Sequence, residues 1–373
     1  MDKGADREGG EATRVNDKEL VIGSFASCRS GGALRLHLVS QWIAGASHPG
    51  AQCPSKALQW LGQRLIIHSI AKLMWIGNTL GQRTSFSTTE TTMSDSPVLY
   101  ERDERLARIT LNRPDALNAI DFDLPAALQS AVEQANAETE VHVIVLSGAG
   151  RAFCAGYDLE IFAQSPGTNP GIQDMPWDPM QDFAFMNRNT NHFMSLWRSL
   201  LPVICKVQGY AIAGGSDIAL CADLLLIAEN AQLGYPPARV WGTPTTAMWV
   251  YRLGLEKAKF MLFTGDLIPG RKAEEIGLVF QSVPLKELDD TVLQLTERIM
   301  GVPKNQLMMM KMMVNQAYEN MGLSSTQSIA TLFDGIARHS PEGIRFKQRA
   351  EEVGFKQAVT ERDSVDPIPG SKN

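Results

Sequence analysis

The sequence predicts an α/β fold in which a core of parallel strands and crossover helices is followed by a region of helices alone. From Val141 onward, apolar runs of strand length alternate with segments of helical pattern, which is the arrangement that parallel sheets require. After Ala231 the pattern turns helical and stays so as far as Phe355. We therefore expect a core over residues 93–290 and a C-terminal helical region with a polar tail over 291–373.

Composition and charge narrow the possible classes of function. The chain has 373 residues, of which 44% are hydrophobic, enough for a large core. Its net charge of −6 argues against a general affinity for nucleic acid, and no run of about 20 apolar residues predicts a membrane span. The cysteines form no CxxC pair and no metal-ligand spacing, so we predict no metal site and a reducing compartment. The five cysteines are Cys28, Cys53, Cys154, Cys205 and Cys221.

Residues 1–92 differ in composition from the rest of the chain. Residues 1–19 carry six acidic and four basic residues, whereas residues 20–89 carry six Lys or Arg and no Asp or Glu. The second stretch is typical of an organelle transit peptide, but the acidic beginning is not. An over-extended start, with Met93 as the true beginning, explains the same pattern. We predict a disordered or transit-like leader, with the protein mitochondrial if it is a transit peptide and cytoplasmic otherwise.

Local patterns predict the elements of the core in order. Alternating apolar residues over 98–101 and 106–111 predict a β-hairpin. Asp121 or Asp123 is expected to cap a helix that ends near Ala137, and 141–146 reads as a buried strand. The Gly-, Pro- and Asn-rich stretch 164–182 is expected to be a long loop near the functional site, followed by a helix over 183–200.

The second half of the chain is predicted to be mostly helical. The predicted helices cover 245–253, 255–264, 271–277, 288–300, 304–318, 326–338 and 342–355, with a polar tail from Glu361. One of them contains the methionine-rich run 308–313. Methionine clusters can line adaptable binding surfaces, but we expect this run to fill the helical core.

Two glycine turns, at 154–158 and 213–217, are the strongest candidates for a functional site. Each is predicted to end a strand and open a helix, so each offers backbone N–H groups that lack a helical acceptor. Two such N–H groups aimed at one point are the minimum for an oxyanion hole. No nucleophile accompanies them, because Ser216 is followed by Asp217 and the GxSxG elbow is absent. The turns therefore favour stabilising an anion such as a thioester enolate over forming an acyl-enzyme.

Four stretches in order resemble the crotonase (enoyl-CoA hydratase/isomerase) superfamily, over roughly 260 residues from Val98 to Phe355. They are 113–119, 151–159, 209–217, and 264–266 together with 273–279. The resemblance implies a ββα spiral core and C-terminal helices used to form a homotrimer or homohexamer. It also implies an acyl-CoA substrate and no cofactor besides the coenzyme A that belongs to the substrate.

The resemblance assigns roles to the matched positions. The backbone N–H groups of Tyr157 and Gly214 would hold the thioester oxygen, and Asp217 would be a catalytic carboxylate. Capping of its own helix is the alternative role for Asp217 and also for Asp158. The positions implied to bind substrate or coenzyme A are Ala116, Leu117, Asn118, Ala155, Gly156, Asp158, Leu159 and Gly215. Two cations of the last predicted helix, Lys347 and Arg349, are possible partners of the coenzyme A phosphates or else part of a solvated face.

One position departs from the family pattern. Pro237 stands where family hydratases carry their second catalytic glutamate, and proline cannot transfer a proton. Adding water to a conjugated double bond needs a base for water and a proton for the α-carbon. A lone Asp217 fits double-bond isomerisation better, unless another acid of the predicted loop helps. The candidates are Asp174, Asp178 and Asp182.

The predicted function is that of an acyl-CoA thioester enzyme resembling enoyl-CoA hydratases and isomerases. The alternatives are another crotonase chemistry, such as isomerisation, decarboxylation or C–C hydrolysis, and a non-catalytic acyl-CoA-binding protein. Three aromatic residues are candidates for the wall of an acyl pocket that accepts an aromatic or cyclic group, with plain structural packing as the alternative. They are Tyr157, Trp177 and Trp241.

Overall fold

A parallel sheet that begins with a hairpin forms the centre of the protein. The computed structural model describes residues 96–167, 169 and 171–364, so the predicted leader over 1–92 lies outside the described residues. Strand β1 (Val98–Asp103) pairs antiparallel with β2 (Leu106–Leu111), as predicted. Beyond β2 every neighbouring pair in this sheet is parallel, in the order β1-β2-β3-β4-β6-β9. The added strands are β3 (Val143–Gly148), β4 (Val203–Val207), β6 (Leu224–Ala228) and β9 (Gln281–Val283).

A second, three-stranded sheet lies where the sequence predicted only a turn and helices. Its strands are β5 (Tyr210–Ile212), β7 (Gln232–Gly234) and β8 (Leu267–Pro269). β5 pairs parallel with β7, which pairs antiparallel with β8. The prediction of helices alone after Ala231 is therefore wrong for β7, β8 and β9. Strands of three residues are too short to show a two-residue periodicity, which explains the error.

Helices surround the sheets, largely where their patterns predicted them. The side-chain Oδ1 of Asp121 accepts a hydrogen bond of 2.9 Å from the N–H of Leu124, the first residue of helix α1. The predicted loop over 164–182 is shorter than expected, because Asp178 caps a helix that starts at Pro179. The helices of the core are α1 (Leu124–Ala137), α2 (Pro179–Phe193), α3 (Ser195–Arg198), α4 (Gly214–Leu220), α5 (Met248–Leu253), α6 (Leu255–Thr264) and α7 (Gly270–Glu275). Short 3₁₀ helices cover Pro114–Ala116, Pro236–Arg239 and Leu285–Glu287, and a π-helical turn covers Glu160–Gln164.

Five further helices complete the described chain. They are α8 (Leu288–Met300), α9 (Lys304–Asn320), α10 (Leu323–His339), α11 (Pro341–Val353) and α12 (Phe355–Arg362). The predicted polar tail from Glu361 begins too early, because α12 extends to Arg362. The boundary predicted at residue 290 falls inside α8. Within the described residues, no helix is both long enough and apolar enough to span a bilayer.

An ion pair between Lys311 and Asp223 connects the C-terminal helix α9 to the core. The Lys311 ammonium on α9 lies 2.8 Å from a carboxylate oxygen of Asp223, which precedes β6. The same ammonium donates hydrogen bonds of 3.0 Å to the carbonyls of Leu196 and Leu201. Because Lys311 is only 8% exposed, its charge depends on these three partners.

The methionine run lies on α9 and faces outward in the single chain. Met309, Met310, Met312 and Met313 are between 44% and 62% exposed. The prediction that they fill the core is wrong, since Lys311 takes the buried position among them. Ile329, Phe333 and Ile336 of α10 are exposed as well. An apolar surface of this kind is typical of a face that meets another molecule.

Candidate active site

The two glycine turns lie against each other. The N–H of Cys154 donates to the carbonyl of Tyr210 at 2.9 Å, and the N–H of Ile212 donates to the carbonyl of Cys154 at 3.1 Å. A methyl group added to Gly215 would lie 2.2 Å from that same Cys154 oxygen. Only glycine permits this approach of the α4 backbone to the first turn.

The N–H groups of Tyr157 and Gly214 remain without an acceptor in the described part of the chain. On either side of Tyr157, the backbone pairs with Ile120, which accepts from Asp158 at 3.0 Å and donates to Gly156 at 2.8 Å. This pairing turns the Tyr157 N–H to the opposite side. Gly214 begins α4 and therefore has no helical acceptor for its own N–H.

Backbone conformation brings these two amides together. Gly156 has a φ of +94°, and a methyl group there would lie 2.8 Å from the Ile212 carbonyl and 3.5 Å from the Gly214 nitrogen. Ala213 has φ 54° and ψ −124°, a combination that an L-residue adopts only under constraint. Such strained residues cluster at binding and catalytic sites. The second turn therefore stores strain at the residue that orients the Gly214 amide.

Both turns open onto a cavity of about 270 Å³. Its wall is mainly apolar and aromatic, with few polar side chains, which is the usual composition of a small-molecule site. The aromatic residues of the wall are Tyr157, Phe162, Phe185, Tyr235 and Trp241. The ionisable residues of the wall other than tyrosine are Asp217, Asp334, Arg338, Arg362 and Asp363.

Asp217 is buried in this wall at 2% exposure. The Thr246 hydroxyl donates to its Oδ1 at 2.6 Å. Burial raises the pKa of Asp217 to about 8, and the nearby Asp334 carboxylate acts in the same direction. The carboxyl is therefore mostly protonated at neutral pH and able to donate its proton.

The segment expected to carry a second carboxylate contributes no carboxylate to the cavity. Pro236 and Pro237 both line it, at the start of the 3₁₀ helix Pro236–Arg239. None of the three loop acids suggested as substitutes lines the cavity. Asp174 is exposed, Asp178 caps α2, and Asp182 is buried in an ion pair with Arg338.

Two cavity residues that the sequence analysis missed come from α10. Asp334 accepts a hydrogen bond of 3.0 Å from the Thr243 N–H and pairs with the Arg338 guanidinium. Arg338 also holds both carboxylate oxygens of Asp182, at 2.6 and 2.9 Å. Their spacing of four residues was visible in the sequence, but an Asp–Arg pair at this spacing usually lies on a solvated helix face.

The predicted coenzyme A loop, residues 116–118, is hydrogen-bonded to the first glycine turn and does not line the cavity. Asn118 is fully buried, and its side chain donates to the carbonyls of Ala149 and Ala152 at 2.9 Å each. The Leu117 carbonyl accepts from the Ala155 N–H at 3.0 Å. The N–H groups of Ala116, Leu117 and Asn118 all donate to carbonyls within the loop itself.

The other predicted binding residues divide into two groups. Ala155 and Leu159 line the cavity together with Tyr157, Gly214 and Asp217. Gly156 and Gly215 lie behind it and determine how the two turns approach each other.

Several residues predicted to contact the ligand instead pair with other residues of the protein. Asp158 pairs with Arg113 at 3.2 Å and accepts from the Glu160 N–H at 3.2 Å, which is the capping role. Lys347 pairs with Glu351 and donates to the Ser165 carbonyl.

Two further suggested contacts are also made within the protein. Arg349 pairs with Glu361 at 2.8 Å, so its guanidinium already has a carboxylate partner. Trp177 stacks on His339 with ring centroids 4.3 Å apart and does not reach the cavity, whereas Trp241 does.

Comparisons with known proteins agree with this geometry. Residues 101–350 match the family model described as enoyl-CoA hydratase/isomerase. A probable enoyl-CoA hydratase of Mycobacterium bovis is 29% identical over 235 residues, covering 61% of this chain and 84% of the relative. The mitochondrial enoyl-CoA hydratase of Pongo abelii is 32% identical over 219 residues, covering 57% and 69%.

Solved structures give the same result over most of the described residues. The crystal structure of an enoyl-CoA hydratase from Mycobacterium smegmatis has a TM-score of 0.68 and 45% identity, and it covers 72% of this chain and 93% of its own. An enoyl-CoA hydratase/isomerase from Xanthobacter autotrophicus has a TM-score of 0.66 and 28% identity, covering 72% and 97%. The predicted α/β crotonase fold with C-terminal helices is confirmed, and the chain belongs to the enoyl-CoA hydratase/isomerase family of enzymes.

Proposed function

We propose that the protein acts on an acyl-CoA thioester whose carbonyl oxygen binds between the N–H groups of Tyr157 and Gly214. The observation that supports this most directly is that both amides lack an acceptor among the described residues and both residues line one cavity. Negative charge that develops on the oxygen as an enolate forms would then be stabilised by two fixed donors. Loss of one such donor costs on the order of 3 kcal/mol of transition-state stabilisation.

Asp217 supplies or removes the proton at the α-carbon of the acyl group. In its protonated form it donates to the enolate carbon, and the C–H bond forms as the charge leaves the thioester oxygen. Its burial and its short contact with Thr246 hold the carboxyl in one position. A pKa near the working pH suits a group that must both give and accept a proton.

The cavity favours a flat acyl group. The Tyr157 ring meets Phe162 edge-on with centroids 5.5 Å apart, and Trp241 packs against Phe346 at 5.3 Å. These supported rings form rigid apolar surfaces. We infer an aromatic or cyclic α,β-unsaturated acyl chain as the preferred substrate, because offset stacking on such surfaces adds about 1 kcal/mol to burial.

The proposed reaction needs no cofactor besides the coenzyme A of the substrate. The nucleotide end of coenzyme A would contact the loop at 116–118. The N–H groups of this loop already donate internally, and the carbonyls of Ala116 and Leu117 each accept one hydrogen bond. A carbonyl oxygen has a second lone pair, so the loop carbonyls can still accept from an adenine amino group. The contact would therefore recognise a base and not a phosphate.

Assembly and compartment remain proposals. The exposed apolar side chains of α9 and α10, including Met313 and Phe333, support a homotrimer or homohexamer formed through this face. Some relatives are mitochondrial and others bacterial. Import into mitochondria would depend on the leader.

A substrate panel tests the proposal. The purified full chain is incubated with crotonyl-CoA, cyclohexenecarbonyl-CoA and cinnamoyl-CoA, and hydration and double-bond migration are followed. We expect turnover of at least one thioester and a loss of about 1000-fold in the Asp217→Asn variant. The control Asp178→Asn changes a helix cap outside the cavity and should leave kcat within about threefold of wild type. Binding of these thioesters without any turnover would support the non-catalytic alternative instead.

A further inference from the structure

The cavity contains a second carboxylate, which reaches it from a different part of the chain than the family pattern would suggest. Asp334 is on α10, is 4% exposed, and lines the cavity together with Asp217. Gly242 lies between Asp334 and Pro237 and so relates their positions. A methyl group added to Gly242 would lie 3.1 Å from the Asp334 Oδ1 and 3.3 Å from the Pro237 Cβ. The carboxylate and the proline ring therefore flank the same small volume.

From this placement we propose that Asp334 is the catalytic base that activates water. It would supply the second carboxylate that the segment around Pro237 lacks. The proposal rests on the function proposed above and adds a reaction to it: hydration, which a lone Asp217 would not support. It also gives α10 a part in the chemistry.

The partners of Asp334 suit a base. One carboxylate oxygen accepts from the Thr243 N–H, and the other contacts the Arg338 guanidinium. Each oxygen keeps a further lone pair for a water molecule. Arg338 is itself fixed by Asp182 and by the Gly171 carbonyl, to which its Nε donates at 3.0 Å. The base is thus held in position by groups that do not need to move.

Asp217 and Asp334 are both buried, but only Asp334 contacts a cation. Asp217 touches a neutral hydroxyl, and burial raises its pKa to about 8. Burial also raises the pKa of Asp334 above its usual range, but a guanidinium in direct contact opposes that rise and favours the ionised form. Two carboxyls whose environments differ in this way form an acid–base pair. We assign the base role to Asp334 because its carboxylate contacts a guanidinium, and the acid role to Asp217 because its carboxyl contacts a hydroxyl.

The reaction balances with these two groups and one water molecule. The Asp334 carboxylate takes a proton from water while the water oxygen bonds to the β-carbon. The π electron pair moves to the thioester oxygen between the two amides. The returning electron pair takes the Asp217 proton at the α-carbon, which completes the 3-hydroxyacyl thioester. Asp334 then carries one proton and Asp217 has lost one, so a proton exchange through solvent restores the starting state.

A structural role for Asp334 is the main rival, since the residue also neutralises Arg338. Asp182 provides a matched comparison. It contacts the same guanidinium, is fully buried, and does not line the cavity. If the charge on Arg338 were the whole role of Asp334, Asp182→Asn and Asp334→Asn would have the same consequences.

The test compares two reactions in three variants of the full chain. Hydration is measured with whichever of crotonyl-CoA or cinnamoyl-CoA the wild type turns over faster. Exchange of the α-hydrogens with D₂O is measured on the saturated butyryl-CoA or 3-phenylpropionyl-CoA, which needs Asp217 and the two amides but no water-activating base. Asp334→Asn should lose at least about 100-fold in hydration and less than about fivefold in exchange. Asp217→Asn should lose both, and Asp182→Asn should lower stability while keeping the ratio of the two rates.

Three outcomes would overturn the proposal. They are an Asp334→Asn variant that hydrates like wild type, one that loses both reactions equally, or an Asp182→Asn variant that shows the same selective loss. If Asp334→Asn does not fold, Asp334→Glu decides, because it keeps the charge and moves the base. It should hydrate more slowly and retain the acidic limb of the kcat–pH profile, and the absence of that limb would contradict the proposal. A wild type that catalyses exchange but not hydration refutes only the role of Asp334, whereas one that catalyses neither refutes the proposed function as well.

Discussion

The cavity has two walls that the chain encodes in different ways. The glycine-turn wall, residues 154–157 and 212–214, is made mainly of backbone, and its geometry follows from short local motifs. The α10 wall, Asp334 and Arg338, is made of side chains that come into place only when a distant helix packs on the core. Local motifs can therefore predict the two amides and Asp217, while the position of the α10 carboxylate depends on tertiary packing. Variants in each wall test whether the two walls differ in this way.

The largest effect is expected where the C-terminal helices are attached. Replacing Lys311 by Met leaves the partly buried Asp223, whose side chain is 21% exposed, with the Val203 N–H as its remaining hydrogen-bond donor, at 2.7 Å. We expect a loss of about 4 kcal/mol in the free energy of unfolding, measured by denaturant titration, because a buried charge loses its counterion. The control Lys272→Met breaks an exposed pair with Glu275 and should cost less than about 1 kcal/mol.

A double variant makes that prediction stricter. Adding Asp223→Asn to Lys311→Met removes the unpaired charge and should restore more than half of the loss. If the double variant were as unstable as Lys311→Met alone, the ion pair would not be what attaches α9 to the core.

The contact between the two glycine turns, behind the glycine-turn wall, should tolerate almost no added volume. Gly215→Ala places a methyl group 2.2 Å from the Cys154 carbonyl, so we expect a loss of about 3 kcal/mol in unfolding free energy. Gly277→Ala is the matched control. Gly277 has φ +81° with open space around its Cα, so only conformational strain of about 1 kcal/mol applies. Equal losses in the two variants would mean that the contact between the turns is not tight.

Burial of Asp217 makes stability depend on pH in a definite direction. Its pKa is about 8 when folded, against about 4 when unfolded, so the folded state keeps a proton that the unfolded state releases. This contribution is complete below about pH 4 and is lost as the pH rises to about 8. Relative to wild type, Asp217→Asn should therefore gain roughly 3–4 kcal/mol between about pH 5 and pH 8, by denaturant titration at each pH. A difference that stays constant with pH would contradict a raised pKa.

The smallest expected effect concerns the Thr246 contact with Asp217. Thr246→Val keeps the volume of a fully buried residue but removes the hydroxyl that donates to the carboxyl. Because that hydrogen bond favours the ionised form, its loss should move the alkaline limb of the kcat–pH profile upward by about one pH unit. An alkaline limb that does not move would show that Asp217 does not act in its protonated form.

Sequence reasoning recovered the parts of the fold that have local signals. The hairpin, the parallel sheet and the four longest C-terminal helices follow from periodicity and turn residues. The short strands β7, β8 and β9 did not, since three residues show no period. The burial pattern of α9 was misjudged, because apolar periodicity does not tell whether a methionine faces the core or a surface.

The candidate site shows the same division. Tyr157, Gly214 and Asp217 lie within short motifs, and all three line the cavity. Asp334 carries no motif of its own, and its burial depends on how α10 packs against α2. The long-range contact between Arg338 and Asp182, 156 positions earlier in the chain, is what distinguishes the Asp334–Arg338 pair from an ordinary surface pair. No pattern within a single helix contains that information.

The central claim is that one thioester oxygen binds between two backbone amides. A crystal structure of Asp217→Asn with the enoyl-CoA that the wild type turns over fastest tests it most directly. We expect the carbonyl oxygen at about 2.7–3.1 Å from the nitrogens of both Tyr157 and Gly214, with the acyl chain against Trp241. A thioester bound in the cavity with its oxygen beyond hydrogen-bond distance of both amides would contradict the account.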